Sequence, residues 1–169
     1  MLDLSVPQNA LALLPKQRLT TSNQGETYLK FQLAQQTPAV LSMRTAQEVI
    51  VLAPSRLTTM PNMPAYVMGL MNRRSRVLWV IDLARMLGLS VVETIVQQYN
   101  IVIIRNESAT LGLIVAAVEG VVRLTSESIQ SPIEQVSSSL VPYLRGCILQ
   151  DQEILLLLDA EAIIRNVQR

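Results

Sequence analysis

The chain has 169 residues, half of them hydrophobic, and its 14 basic and 13 acidic side chains leave a net charge of +1, which suits one compact body with a real core. It contains no histidine, so the commonest general base, zinc ligand and phospho-accepting group are missing, and most hydrolase and phosphorelay chemistries are excluded. With aromatic residues at 4% there is no base-stacking platform, and near-neutral charge supplies no phosphate-binding field, so nucleic acid is not an expected partner.

Residues 1–26 carry Pro7, Pro15 and Gly25 among Leu2, Leu4, Leu11, Leu13 and Leu14. They read as a mobile tail, or as a short partner-seeking helix, with the tail the favoured reading. From residue 27 the pattern changes to short β-like runs at 28–34, 39–43, 48–52, 67–71 and 76–81, divided by polar or Pro-containing turns; this is the spacing of a small barrel. Asp82 precedes Leu83-Ala84-Arg85-Met86-Leu87 and Gly88 follows, which predicts an Asp cap, a short helix over 83–88 and a glycine stop. The order then recurs, with strands near 99–105, 110–116, 118–124, 145–149 and 153–158 and with Asp159 capping a helix over 160–167.

The recurrence extends to individual residues. Tyr66, Gly69 and Asp82 align without a gap on Tyr143, Gly146 and Asp159, and the apolar run 77–81 aligns on 154–158. A weaker echo sets 28–33 over 99–104 and Glu48 over Glu119. Two copies of one small unit, each too small to bury much alone, are expected to cover one another. The predicted organisation is a tail over 1–26 and a single domain over 27–167, made of intertwined subdomains at roughly 27–90 and 91–167. In both 77–81 and 154–158 the two alternating faces are apolar, so each strand is expected to serve its own barrel with one face and a shared hydrophobic seam with the other. Asp82 and Asp159 are read as helix caps, not as a catalytic pair.

No apolar stretch reaches the roughly 18–20 residues that span a bilayer, and the N-terminus has no basic region followed by an apolar run; a cytoplasmic protein without membrane insertion is the expectation. The six glycines are scattered singly, Cys147 is the only cysteine, and no cofactor or metal is implied. Cys147 is expected to fill a small space in the core.

Three segments carry a resemblance. Ala46-Gln47-Glu48-Val49-Ile50, then the run from Met63-Pro64-Ala65-Tyr66 through Gly69 to Asn72-Arg73-Arg74, then Arg76-Val77-Leu78-Trp79-Val80-Ile81-Asp82-Leu83 are similar to the Val-Gln-Glu-Val/Ile segment, the Pro-x-Tyr/Phe-x-x-Gly-x-x-Asn-Leu-Arg-Gly turn and the Val-x-Pro-Val-Ile-Asp-Leu strand of the CheW family of chemotaxis coupling proteins. The similarity covers essentially 27–167. It implies a mainly β fold of two five-stranded, SH3-like β-barrel subdomains packed on a shared hydrophobic seam. It also implies a non-enzymatic adaptor in a chemosensory array, joining the cytoplasmic hairpin tip of a chemoreceptor to the regulatory domain of a CheA-type histidine kinase. The family's coupling positions fall on Ala46, Glu48, Val49, Gly69, Asn72 and Arg74, with Arg74 expected to pair with Glu48. Receptor binding is expected as a helix laid into the apolar seam and kinase binding as barrel against barrel. Val49, Leu78 and Val115 are candidate apolar lining, with core packing the alternative for each. Ser75 stands where the family usually has Gly, and Trp79 where it usually has Pro. An adaptor variant that carries a receiver domain is not the expectation. A small-ligand- or peptide-binding double barrel without a kinase partner is the competing reading.

Overall fold

The computed structural model describes residues 25–90, 95–131, 134 and 136–168; most of the expected N-terminal tail lies outside them. Eleven strands follow in chain order: β1 (Gly25–Gln32), β2 (Pro38–Ser42), β3 (Ala46–Leu52), β4 (Val67–Arg73), β5 (Arg76–Asp82), β6 (Tyr99–Arg105), β7 (Thr110–Val115), β8 (Ala117–Thr125), β9 (Ile129–Gln130), β10 (Leu144–Gln150) and β11 (Glu153–Leu158). Helix α1 (Leu83–Met86) follows β5, and α2 (Ala160–Val167) follows β11. Asp82 accepts a hydrogen bond from the Arg85 amide, and Asp159 accepts from the amides of Glu161 and Ala162, so both carboxylates do the capping that their position before a helix predicts.

The strands form a six-stranded sheet, ordered β8-β1-β2-β11-β10-β9, and a five-stranded sheet, ordered β3-β6-β7-β5-β4. All ladders are antiparallel except β2 with β11 and β5 with β7. The expected five strands are found in one sheet; the other has six because the two-residue β9 adds to β10, and both sheets are open ladders with edge strands. Strands are exchanged between the halves on either side of residue 90. The β1–β2 hairpin of the first half completes the sheet of the second, while β6 and β7 of the second half complete the sheet of the first.

Alternation along the strands sorts the apolar residues into three cores. Met71, Leu78, Val80, Ile101, Ile103 and Ile114 fill the concave side of the five-stranded sheet. Tyr28, Val40, Leu124, Ile148, Leu155 and Leu157 do the same for the six-stranded one. The alternate residues of these strands, among them Phe31, Leu41, Ile81, Val102, Ile104, Leu113, Leu156 and Leu158, meet in the largest cluster, between the sheets. A strand buried on both faces has no place for a polar residue, which is why 77–81 and 154–158 read as continuous apolar runs. Cys147 is buried in this seam at 3% exposure.

The internal repeat is visible in the backbone. The Asp82 amide donates to the Tyr66 carbonyl at 2.7 Å, and the Asp159 amide donates to the Tyr143 carbonyl at 2.8 Å. Register shifts fall at Gly69 in β4 and at Gly146 in β10. The two-residue hairpin turns are also alike: Arg74 and Ser75 have φ of 51° and 65°, Asp151 and Gln152 have φ of 50° and 65°.

Candidate functional site

In the five-stranded sheet, β3 and β4 are the two edge strands, yet a side-chain clasp joins them. Arg73 donates from Nε to Glu48 Oε1 at 3.2 Å and from its terminal nitrogen to Oε2 at 2.9 Å. Arg74 reaches the same Oε2 at 3.6 Å while its side chain remains 77% exposed. Edge strands that share an ion pair must belong to a strongly curled sheet, consistent with cumulative strand twist. The bidentate fork is the geometry that best matches a carboxylate to a guanidinium. The hydrogen bond from Arg73 is the main reason the Glu48 carboxyl is held below its usual pKa, with the charges of Arg73 and Arg74 adding to it and partial burial opposing.

The expected pairing of Arg74 with Glu48 is present as a 3.6 Å ion pair, but Arg73, which the sequence reading did not name, is the principal partner at 2.9 Å. Strand parity explains the preference. Met71 points into the concave core at 2% exposure, so Arg73, two residues on, follows that face out to its rim. Glu48 shares its face with Ile50, which packs against the same core, and the two side chains meet at the open end. Arg74 lies in the turn, outside this alternation. Counting by twos from Met71 would have identified Arg73 in the sequence.

The other candidate residues separate by exposure. Asn72 is exposed, and Val49 is 42% exposed beside Val51 at 55%. Val49 sits opposite Val102 of the seam cluster, so Val49 and Val51 carry the apolar character of the seam outward along an edge strand. Ala46 and Gly69 are buried, and neither offers side-chain surface. Leu78 and Val115 are core residues at 6% and 3% exposure, as the alternative reading had it, although Val115 also borders a cleft.

That cleft, of about 740 Å³, opens at one end of the seam among Leu33, Met68, Tyr99, Val115, Asp82 and Arg85. Asp82 and Arg85 already engage one another at 3.4 Å. Among the described residues no three His, Cys, Asp or Glu side chains are grouped to hold a metal ion, and no helix is long and apolar enough to cross a membrane.

The second copy carries a counterpart that sequence reasoning missed. Lys30 of β1 lies 3.3 Å from Glu119 of β8 and 3.4 Å from Glu153 of β11, and Gln32 donates to Glu119 at 2.6 Å. Glu119 is the residue that the repeat sets over Glu48, so each sheet carries a charged clasp built on an equivalent glutamate, with different partners.

Two exchanged, curled β-sheets with a charged edge and an apolar rim define a two-sheet β binding module. The chain belongs to the CheW-like domain family, whose model matches residues 27–168. It is 31% identical over 148 residues to a probable chemotaxis protein CheW of Rhizobium etli, covering 86% of this chain and 92% of that protein. It is 29% identical over 118 residues to the chemotaxis protein CheW of Thermotoga maritima, covering 70% and 76%. The crystal structure of the scaffolding protein TtCheW from Thermoanaerobacter tengcongensis superposes with a TM-score of 0.70 at 22% identity, covering 80% of this chain and 89% of that one; it is similar in fold.

Proposed function

We propose that this chain is a non-enzymatic chemotaxis adaptor, which in the cytoplasm holds a chemoreceptor tip and the regulatory domain of a CheA-type histidine kinase in one assembly. The observation that carries this reading is the match to the CheW-like family over 27–168, with relatives named chemotaxis proteins across most of their lengths. In this reading each curled sheet acts as one SH3-like lobe, and the Glu48–Arg73 clasp takes the place of the missing ladder between β3 and β4. Arg74, Asn72 and Val49 form the partner-facing surface, while Ala46 and Gly69 shape the backbone beneath it. Because Arg73 occupies the Glu48 carboxylate, most of the donors of Arg74 remain available for a carboxylate on a partner.

Such contacts are weak one at a time and gain strength when an array presents many of them together. The test is reconstitution with receptor fragment and kinase on vesicles. Arg74→Ala is expected to leave the thermal transition in place and to lower kinase incorporation several-fold. Undiminished incorporation and kinase control would overturn the assignment of Arg74, and failure of the wild-type chain to bind either partner would overturn the adaptor reading itself.

A further inference from the structure

The seam is closed at two crossings and open between them. At one, the Met43 amide donates to the Thr27 carbonyl at 3.0 Å and the Arg105 amide to the Thr45 carbonyl at 2.9 Å. At the other, the Ala116 amide donates to the Gln32 carbonyl at 2.8 Å and Asn100 Nδ2 to the Ala116 carbonyl at 3.2 Å. Each crossing joins an end of β1 to an end of β6. These two strands therefore run side by side across the seam, and their outer neighbours, β8 and β3, are edge strands that flank the same opening. Val49 lies opposite Val102 and Val121 opposite Leu29, and both Val102 and Leu29 belong to the seam cluster. Residues paired across a ladder project to one face, and Val51, two positions beyond Val49, shares it. The opening is thus lined by Val49, Val51 and Val121, at 42%, 55% and 58% exposure. From Thr27 to Gln32 it runs about 17 Å, at roughly 3.3 Å per residue.

Residues 1–24 join the described chain at Gly25, which pairs with Thr125 two positions before Thr27 and so stands at one mouth of this groove. Within them, residues 4–15 carry no charge and include Leu11, Leu13 and Leu14. The stretch 15–24 that separates these leucines from Gly25 can span up to about 35 Å, twice the length of the groove. A segment tied to its groove meets it at an effective concentration of order millimolar. A weak apolar contact that an untethered peptide would leave empty is then filled. We propose that residues 10–14 of this chain dock between β3 and β8, covering Val49, Val51 and Val121, and that a partner helix binds there only by displacing them. The docking needs neither receptor nor kinase; the displacement rests on the adaptor reading.

Cross-linking within the full chain tests the docking. Leu13→Cys combined with Val51→Cys should form an intramolecular disulfide under mild oxidation about tenfold or more faster than Leu13→Cys combined with Gln152→Cys, a position exposed in the β10–β11 turn. Cys147, at 3% exposure, stays out of the exchange. Adding Leu11→Asp/Leu14→Asp to the first pair should slow its cross-link to the rate of the second. Circular dichroism melts establish that Val51→Cys keeps the fold, and Val121→Cys is the alternative groove position if it does not. For the displacement, a receptor hairpin fragment should bind the Leu11→Asp/Leu14→Asp chain more tightly than the wild-type chain, by about tenfold where the native segment fills the groove nine-tenths of the time. Equal cross-linking rates for the two cysteine pairs overturn the docking, and a hairpin affinity indifferent to the leucine substitutions overturns the displacement. A hairpin that binds neither chain counts against the adaptor reading, while the cross-linking rates still decide the docking.

Discussion

Glu48 concentrates the electrostatics of the candidate surface, because one carboxylate receives two guanidinium groups. Its folded pKa is held below the ordinary carboxylate value, chiefly by the hydrogen bond from Arg73. A carboxyl of this kind binds fewer protons when folded than when unfolded. Its contribution is therefore complete above the unfolded pKa and fades as pH falls through the lowered folded one. Glu48→Gln should be less stable than the wild-type chain in urea near pH 7, and the gap should narrow as the pH is lowered through the unfolded and then the depressed folded pKa. A gap that persists unchanged at the lower pH would show that the carboxylate is not its source. Ser75 is the second informative residue. With φ of 65° it adopts the left-handed backbone that favours glycine, so a serine there carries strain. Ser75→Gly should raise stability by about 0.5–1 kcal/mol in the same urea measurement.

At the scale of elements, the β4–β5 hairpin shows how a glycine read as a coupling residue serves the backbone. Gly69 has φ of +139°, and a Cβ there would collide with the carbonyl oxygen of Thr58, in the segment that pairs with Leu70. Gly146 occupies the equivalent bulge in β10, where a Cβ would stand 2.6 Å from the Gln130 carbonyl oxygen. In each sheet a short segment runs too close to the bulged strand for any side chain to intervene. Gly69→Ala should therefore cost about 2–4 kcal/mol of stability, combining a strained conformation with displaced backbone. The check is a thermal melt alongside Arg74→Ala. If Gly69→Ala melted like the wild-type chain and still lost partner binding, its role would be at the surface after all.

At the scale of the whole molecule, stability depends on the exchange of strand pairs between halves. The fragment 1–90 holds β1 and β2, whose partners β8 and β11 are elsewhere, and it lacks β6 and β7, which separate its own β3 from β5. The largest cluster draws on both fragments, so neither can bury its apolar strands alone. Separate fragments 1–90 and 91–169 are expected to show no cooperative melt, and an equimolar mixture to recover one; a fragment that melts cooperatively by itself would contradict the interlocked architecture.

The sequence by itself determined the local facts: ten of the strands, both helices with their aspartate caps, the repeat, and the two-faced apolar runs that require burial on both sides. These follow from period-two alternation, capping chemistry and turn residues, all of which act within a few positions of one another. Only the tertiary structure decided which half supplies each strand, because a strand's hydrogen-bonding groups are the same whichever neighbour they meet. It also decided that β9 pairs with β10, since two residues carry no periodic signal, and that the edge strands β3 and β4 come close enough for Glu48 to meet Arg73 and, at longer range, Arg74. That approach depends on how far the sheet curls, and curl accumulates over five strands, whereas strand parity shows only which side chains share a face.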